Sequence, residues 1–200
     1  MKKLAFILAL LTLASALAGC GRRDKTNSEG DMVLFNTVYT ADEALALAKQ
    51  AGVPVTEDGI CTAGKPVMED FYDRTQRGEA AKILLAAYYT LNKEHMSAEL
   101  YNEEKDKYPQ CFVELIEFDG KDYRIRVRKS DEVEPETDST YRCLMHYSGK
   151  MPSAALHGYY DRYVLVNDDS VTWAEIERGI LSSKMSDWVD HYTVFTDYSD

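Results

Sequence analysis

The clearest hydrophobic pattern lies between Phe112 and Arg128, where two β-rich runs flank Asp119-Gly120. In the second run Tyr123, Ile125 and Val127 alternate with Asp122, Arg124, Arg126 and Arg128. A period of two puts one set on a buried face and the other in water, so the stretch predicts a β-hairpin. Two registers compete. A two-residue Asp-Gly turn pairs Phe118 with Lys121 and Ile116 with Tyr123, but sets Glu114 among apolar residues and Glu117 against Asp122. A three-residue loop with Gly120 left-handed pairs Glu117 with Lys121, Leu115 with Tyr123 and Val113 with Ile125. Charge favours the second. It turns Cys111, Val113, Leu115, Tyr123, Ile125 and Val127 toward the helices. Arg124, Arg126 and Arg128 then form a basic stripe on the open face. That stripe either pairs with Glu114 and other acids or binds an anion.

Elsewhere the pattern alternates between helix and strand. Met32 to Tyr39 is a short apolar run that predicts an edge strand. Thr40 and Glu43 have capping-box spacing and open a helix over 41–51, stopped by Gly52. The turn-rich 55–64 leads to Pro66, which opens a helix with Val67, Met68, Phe71 and Tyr72 on one face and Gly78 at its end. Ala80 to Leu91 predicts a central strand. Ser97 to Lys107 predicts a short helix or loop, and 130–139 an exposed acidic connection. Tyr141 to Tyr147 and Tyr159 to Asn167 read as strands. Thr172 and Glu175 form a second capping box, for a helix with Trp173, Ile176, Ile180 and Leu181 inward. Asp190 to Tyr198 reads as a last strand. Short connections mean antiparallel pairing. The expected fold is α+β: a mainly antiparallel sheet of about five strands with two to three helices packed on one face.

The N-terminus changes the picture from architecture to location. Met1-Lys2-Lys3 precedes an apolar run, Leu4 to Leu13, and a small-residue stretch ending Leu17-Ala18-Gly19-Cys20. That order is a signal peptide's. Leu17-Ala18-Gly19-Cys20 resembles the lipobox of bacterial lipoproteins. The resemblance implies diacylglycerol on the Cys20 sulfur and cleavage between Gly19 and Cys20. It places the protein on the extracytoplasmic face of a cell membrane, held by the lipid. The alternative is a secreted protein cut after Ala16 or Ala18. The expected division is signal peptide 1–19, flexible tether 20–30 and a single domain 31–200. Phe118-Asp119-Gly120-Lys121-Asp122-Tyr123 and the acidic, aromatic strands around it resemble small exported lipoproteins of Gram-positive type, whose domains bring no assigned activity.

Cleavage before Cys20 removes Lys2 and Lys3 and takes the net charge from −11 to −13. Such a surface repels phosphate backbones, so nucleic acid is not an expected partner. The expected partners are the membrane, through the N-terminal lipid, and an envelope protein, peptide or glycan. Cys61, Cys111 and Cys143 are an odd set with no zinc spacing.

Candidate chemistry is sparse. The chain has no nucleophile elbow, phosphate loop, dinucleotide fingerprint or zincin motif. Cys143 and His146 are three apart on a strand and face opposite sides, so Cys143 reads as a core residue. His95, His146, His157 and His191 sit in four segments, and no metal or other cofactor is expected. Asn167-Asp168-Asp169-Ser170 lacks the spaced oxygens of a calcium loop and reads as the turn before Thr172. The tyrosines of the strands (Tyr88, Tyr89, Tyr159, Tyr160, Tyr163, Tyr192, Tyr198) read as cross-strand packing or as an aromatic platform. Two functions follow: a non-catalytic binding or structural module, or a cell-envelope hydrolase with an unrecognised site. A deep pocket with convergent carboxyls distinguishes the second, a shallow aromatic patch the first.

Overall fold

The computed structural model describes residues 29–151 and 157–199. The expected signal peptide, and Leu17-Ala18-Gly19-Cys20 with the lipidation expected at Cys20, lie outside the described residues. Helix α1 (Glu29–Asn36) begins inside the stretch read as a tether and replaces the predicted edge strand. Helix α2 (Ala41–Ala51) carries the full Thr40–Glu43 capping box and ends on Gly52 in the left-handed conformation. Strands β1 (Val55–Glu57) and β2 (Ile60–Ala63) form a tight hairpin at Asp58-Gly59, both with positive φ. Helix α3 (Lys65–Gln76) has Pro66 in its first turn. Strand β3 (Ala81–Tyr89) follows, then α4 (Ala98–Glu104). The hairpin strands are β4 (Gln110–Phe118) and β5 (Tyr123–Lys129). The rest is β6 (Thr137–Tyr141), β7 (Cys143–Lys150), β8 (Tyr159–Val166), α5 (Trp173–Leu181) and β9 (His191–Ser199).

The fold is α+β, with more strands than expected and helices on both faces. A six-stranded sheet runs β2-β1-β3-β4-β5-β6, and a three-stranded sheet runs β7-β8-β9. One pair, β1 with β3, is parallel. Leu34 and Phe35 of α1 and Ala44 and Ala48 of α2 pack against Leu84, Ala86, Cys111, Val113 and Leu115. On the other face Met68 and Phe71 of α3, with Leu144, Tyr163, Leu165 and Phe195 of the small sheet, cover Ile83, Leu85, Ile116, Ile125 and Val127. Helix α5 covers the far side of the small sheet through Ile176. Its Ile180 and Leu181, expected inward, are 52% and 81% exposed. Gly179 takes their place, because a Cβ there would stand 2.6 Å from the carbonyl oxygen of Asp187.

The hairpin register is neither of the two considered. Phe118 pairs with Tyr123, Ile116 with Ile125 and Glu114 with Val127, leaving a four-residue loop. The Asp119 carboxylate closes that loop, accepting from the N–H groups of Lys121 and Asp122 at 2.9 Å each. The rings of Phe118 and Tyr123 stack at 4.4 Å above it. The expectation that 111, 113, 115, 123, 125 and 127 share a face is therefore wrong. The first three face α1 and α2; the last three face α3 and the small sheet. Because β4 is covered on both sides, no face of it is wet.

The arginine stripe is open only at Arg124, and its first two members pair with acids. Arg124 Nε donates to Asp138 at 2.8 Å and Arg126 pairs with Glu117 at 2.9 Å, while Lys82 also reaches Glu117. Arg128 is 2% exposed and donates to the carbonyls of Leu34, Phe35 and Thr37. The first two are orphan acceptors in the last turn of α1, which has no basic residue there, and the third follows its end. The guanidinium fork serves as its C-terminal cap.

Candidate functional site

Two polar sites lie along the small sheet, one against α3 and one against the large sheet. The first surrounds Lys65, at the start of α3. Its Nζ stands 2.6 Å from Asp197 and 3.2 Å from Asp161, neighbours across β9 and β8. His146 on β7 closes on the other oxygen of Asp161 and stacks on Tyr163 at 4.5 Å. The group lines an open cleft of about 510 Å³ with Tyr159, Tyr160 and Lys150. Asp197 holds the Lys65 ammonium well above the usual lysine range. Burial pushes the Asp161 carboxyl up, but His146 and Lys65 more than offset it and hold it low. Burial, and then the Asp197 charge, push the nearby Cys61 thiol up, away from thiolate chemistry. These groups are fully committed to one another.

The second site is built on Glu114. Even-numbered residues of β4 point to the small sheet, and Glu114 falls among Phe112, Ile116 and Phe118 in that row. It is 6% exposed. Tyr192 of β9 hydrogen-bonds to the carboxyl, and burial pushes the group up to about 8. Its Oε2 has no partner. A buried polar atom without a partner costs about 1–3 kcal/mol, so it calls for an explanation. Glu114 lines a cleft of about 210 Å³ between the β1–β2 hairpin and β9. The wall carries Tyr89, Tyr198 and the hydroxyls of Thr56, Thr193 and Thr196. Tyr89 is 40% exposed and meets Phe112 edge-on at 5.9 Å. Burial, and then the Glu114 charge, raise the Tyr89, Tyr192 and Cys111 protons, Cys111 to about 12.

Other residues singled out in the sequence fall elsewhere. Cys143 packs beside Val164 and Ile176 while His146 faces Asp161, so they occupy opposite sides of β7 as expected. Cys61, Cys111 and Cys143 are free thiols. Asp168 accepts from the backbone and hydroxyl of Ser170 at 2.9 and 2.7 Å, making the turn before Thr172. His157 stacks on Tyr198 and His191 lies by Trp188. His95 falls in a short 3-10 turn, far along the chain from the others. Among the described residues no His, Cys, Asp and Glu side chains converge as a metal site, and no helix is long and apolar enough to cross a membrane. In the sequence Glu114 enters only through the hairpin register, as an acid misplaced among apolar residues or as a partner for the arginine stripe. Its signal was an acid in an otherwise apolar row, 112–118. Comparison with protein-family models, with characterised proteins and with solved structures gave no match.

Proposed function

We propose that this protein is a membrane-anchored, extracytoplasmic lipoprotein whose folded part binds a small ligand without transforming it. Leu17-Ala18-Gly19-Cys20 supports the anchor. The domain starts at α1, nine residues beyond Cys20, a spacing that a short tether bridges. For the binding reading the carrying observation is Glu114: a buried carboxyl in a cleft, with one oxygen unclaimed. The groups around it argue against turnover. The Tyr89 and Tyr192 phenols and the Cys111 thiol all hold their protons at neutral pH, so none serves as base or nucleophile. A raised carboxyl is also what a hydrolase uses as its general acid, which keeps that second reading in view.

Two measurements test the proposal. Wild-type protein partitions into detergent with a mass increment on Cys20, and Cys20→Ala does not; unmodified protein beginning at Leu17 or Gly19 in the medium would overturn the anchor. A bound ligand is recovered unchanged after prolonged incubation; its hydrolysis would favour the enzyme.

A further inference from the structure

The cleft beside Glu114 has a charge pattern that selects among ligands, and this inference rests on the binding reading above. Its wall offers hydroxyls and aromatic rings, with Glu114 the ionisable carboxyl among them. Among the described residues no lysine, arginine or histidine lines it. An anion there meets a carboxyl and a strongly acidic chain. A neutral ligand leaves Glu114 as it is. A cation gains a full carboxylate at close range in a poorly solvated place. The Tyr89 and Tyr198 side chains add apolar surface for a carbon body. We propose that this cleft takes a small organic ammonium ion, its head on the unpaired Oε2 of Glu114 and its carbon body against Tyr89 and Tyr198.

Binding then couples to a proton. The free protein holds Glu114 protonated at neutral pH; the ammonium complex holds it ionised, and one proton leaves to solvent. The other titratable groups facing Glu114 are Tyr192 from β9, Tyr89 from β3 and Cys111 on its own strand. All three are raised and stay silent near neutrality. Asp58 acts on Tyr89 from the β1–β2 turn, and Tyr141 on Tyr192. At the rim Arg162 donates to the Tyr198 hydroxyl and His157 stacks on its ring.

With the carboxyl at about 8, its ionised fraction rises about fiftyfold from pH 6 to pH 8, and apparent affinity follows. The probe is butylammonium, compared with butan-1-ol and butyrate, titrated into the full-length chain in non-ionic detergent and followed by NMR shifts and by calorimetry in two buffers of different ionisation enthalpy. The expected result is binding of butylammonium over both analogues, a rise of about fiftyfold across that range with a plateau above it, and release of about one proton. Glu114→Gln is expected to abolish binding, and His157→Gln to leave the pH profile unchanged. If Glu114→Gln does not fold, the wild-type proton release decides alone. Equal affinity for butan-1-ol, or binding without proton release, overturns the ammonium assignment and spares the binding reading. Absence of binding by all three probes at pH 8.5 overturns both.

Discussion

Glu114→Gln is expected to lower stability in acid and raise it in alkali. The carboxyl titrates near 4.5 in an ordinary setting and near 8 in the fold. Between those values the folded state keeps a proton that the unfolded chain has lost. Stability therefore falls as pH rises through this window, is unaffected below it, and carries the full penalty above it. A shift of this size corresponds to a penalty on the order of 5 kcal/mol above pH 8. Glutamine has no such proton. It keeps an acceptor for Tyr192, and its amide leaves an unpaired donor costing about 1–3 kcal/mol at every pH. The two stability curves should then cross between about pH 5 and pH 7. Urea unfolding of both proteins in non-ionic detergent from pH 4.5 to 9, with equal slopes in denaturant, measures the difference. All other titrating groups are shared and cancel. A difference that stays flat across this range would refute the burial argument, as would a Gln variant that loses ground in alkali.

Three further outcomes follow from the fold. Gly64→Ala should cost at least about 2 kcal/mol by urea unfolding, because residue 64 has a φ of 76° and a Cβ there would stand 2.5 Å from the backbone of Pro54 and Val53. Arg128→Ala should cost about 3–5 kcal/mol and raise hydrogen exchange over 34–39, since it strands the carbonyls that end α1; Arg128→Lys should recover only part, lacking the fork. Lys65→Met should raise the pH at which acid unfolding begins: Asp161, held low with help from Lys65, then loses the stability that this partner supplies above its unfolded value, and NMR titration of Asp161 should move upward.

Caps and turns with local chemistry were legible in the sequence. Thr40–Glu43 and Thr172–Glu175 form both halves of their boxes, and Pro66 and Gly52 bound their helices as read. Long-range burial was not. The alternation in β5 shows that its two faces differ, but not that the arginine face is buried at Arg128, since an arginine can be buried when carbonyls surround it. Asp-Gly makes a two-residue turn at 58–59 and not at 119–120. There Asp119 caps two amides, and the Phe118–Tyr123 stack sets the register two residues further out. The acidic connection hid β6, whose Asp138 pairs with Arg124 rather than facing water alone.

The candidate site breaks a local rule. Glu114 among apolar neighbours counts against a two-residue turn, yet the fold places it among them. Local rules broken in this way tend to mark functional positions. The two polar sites differ in what a ligand must do. At Lys65 it must first break ion pairs between groups that already satisfy one another, and the gain largely cancels. At Glu114 the carboxyl gives up only a proton, which it has already lost well above pH 8. Its own desolvation was met when the chain folded, so an ammonium partner there adds most to affinity at high pH.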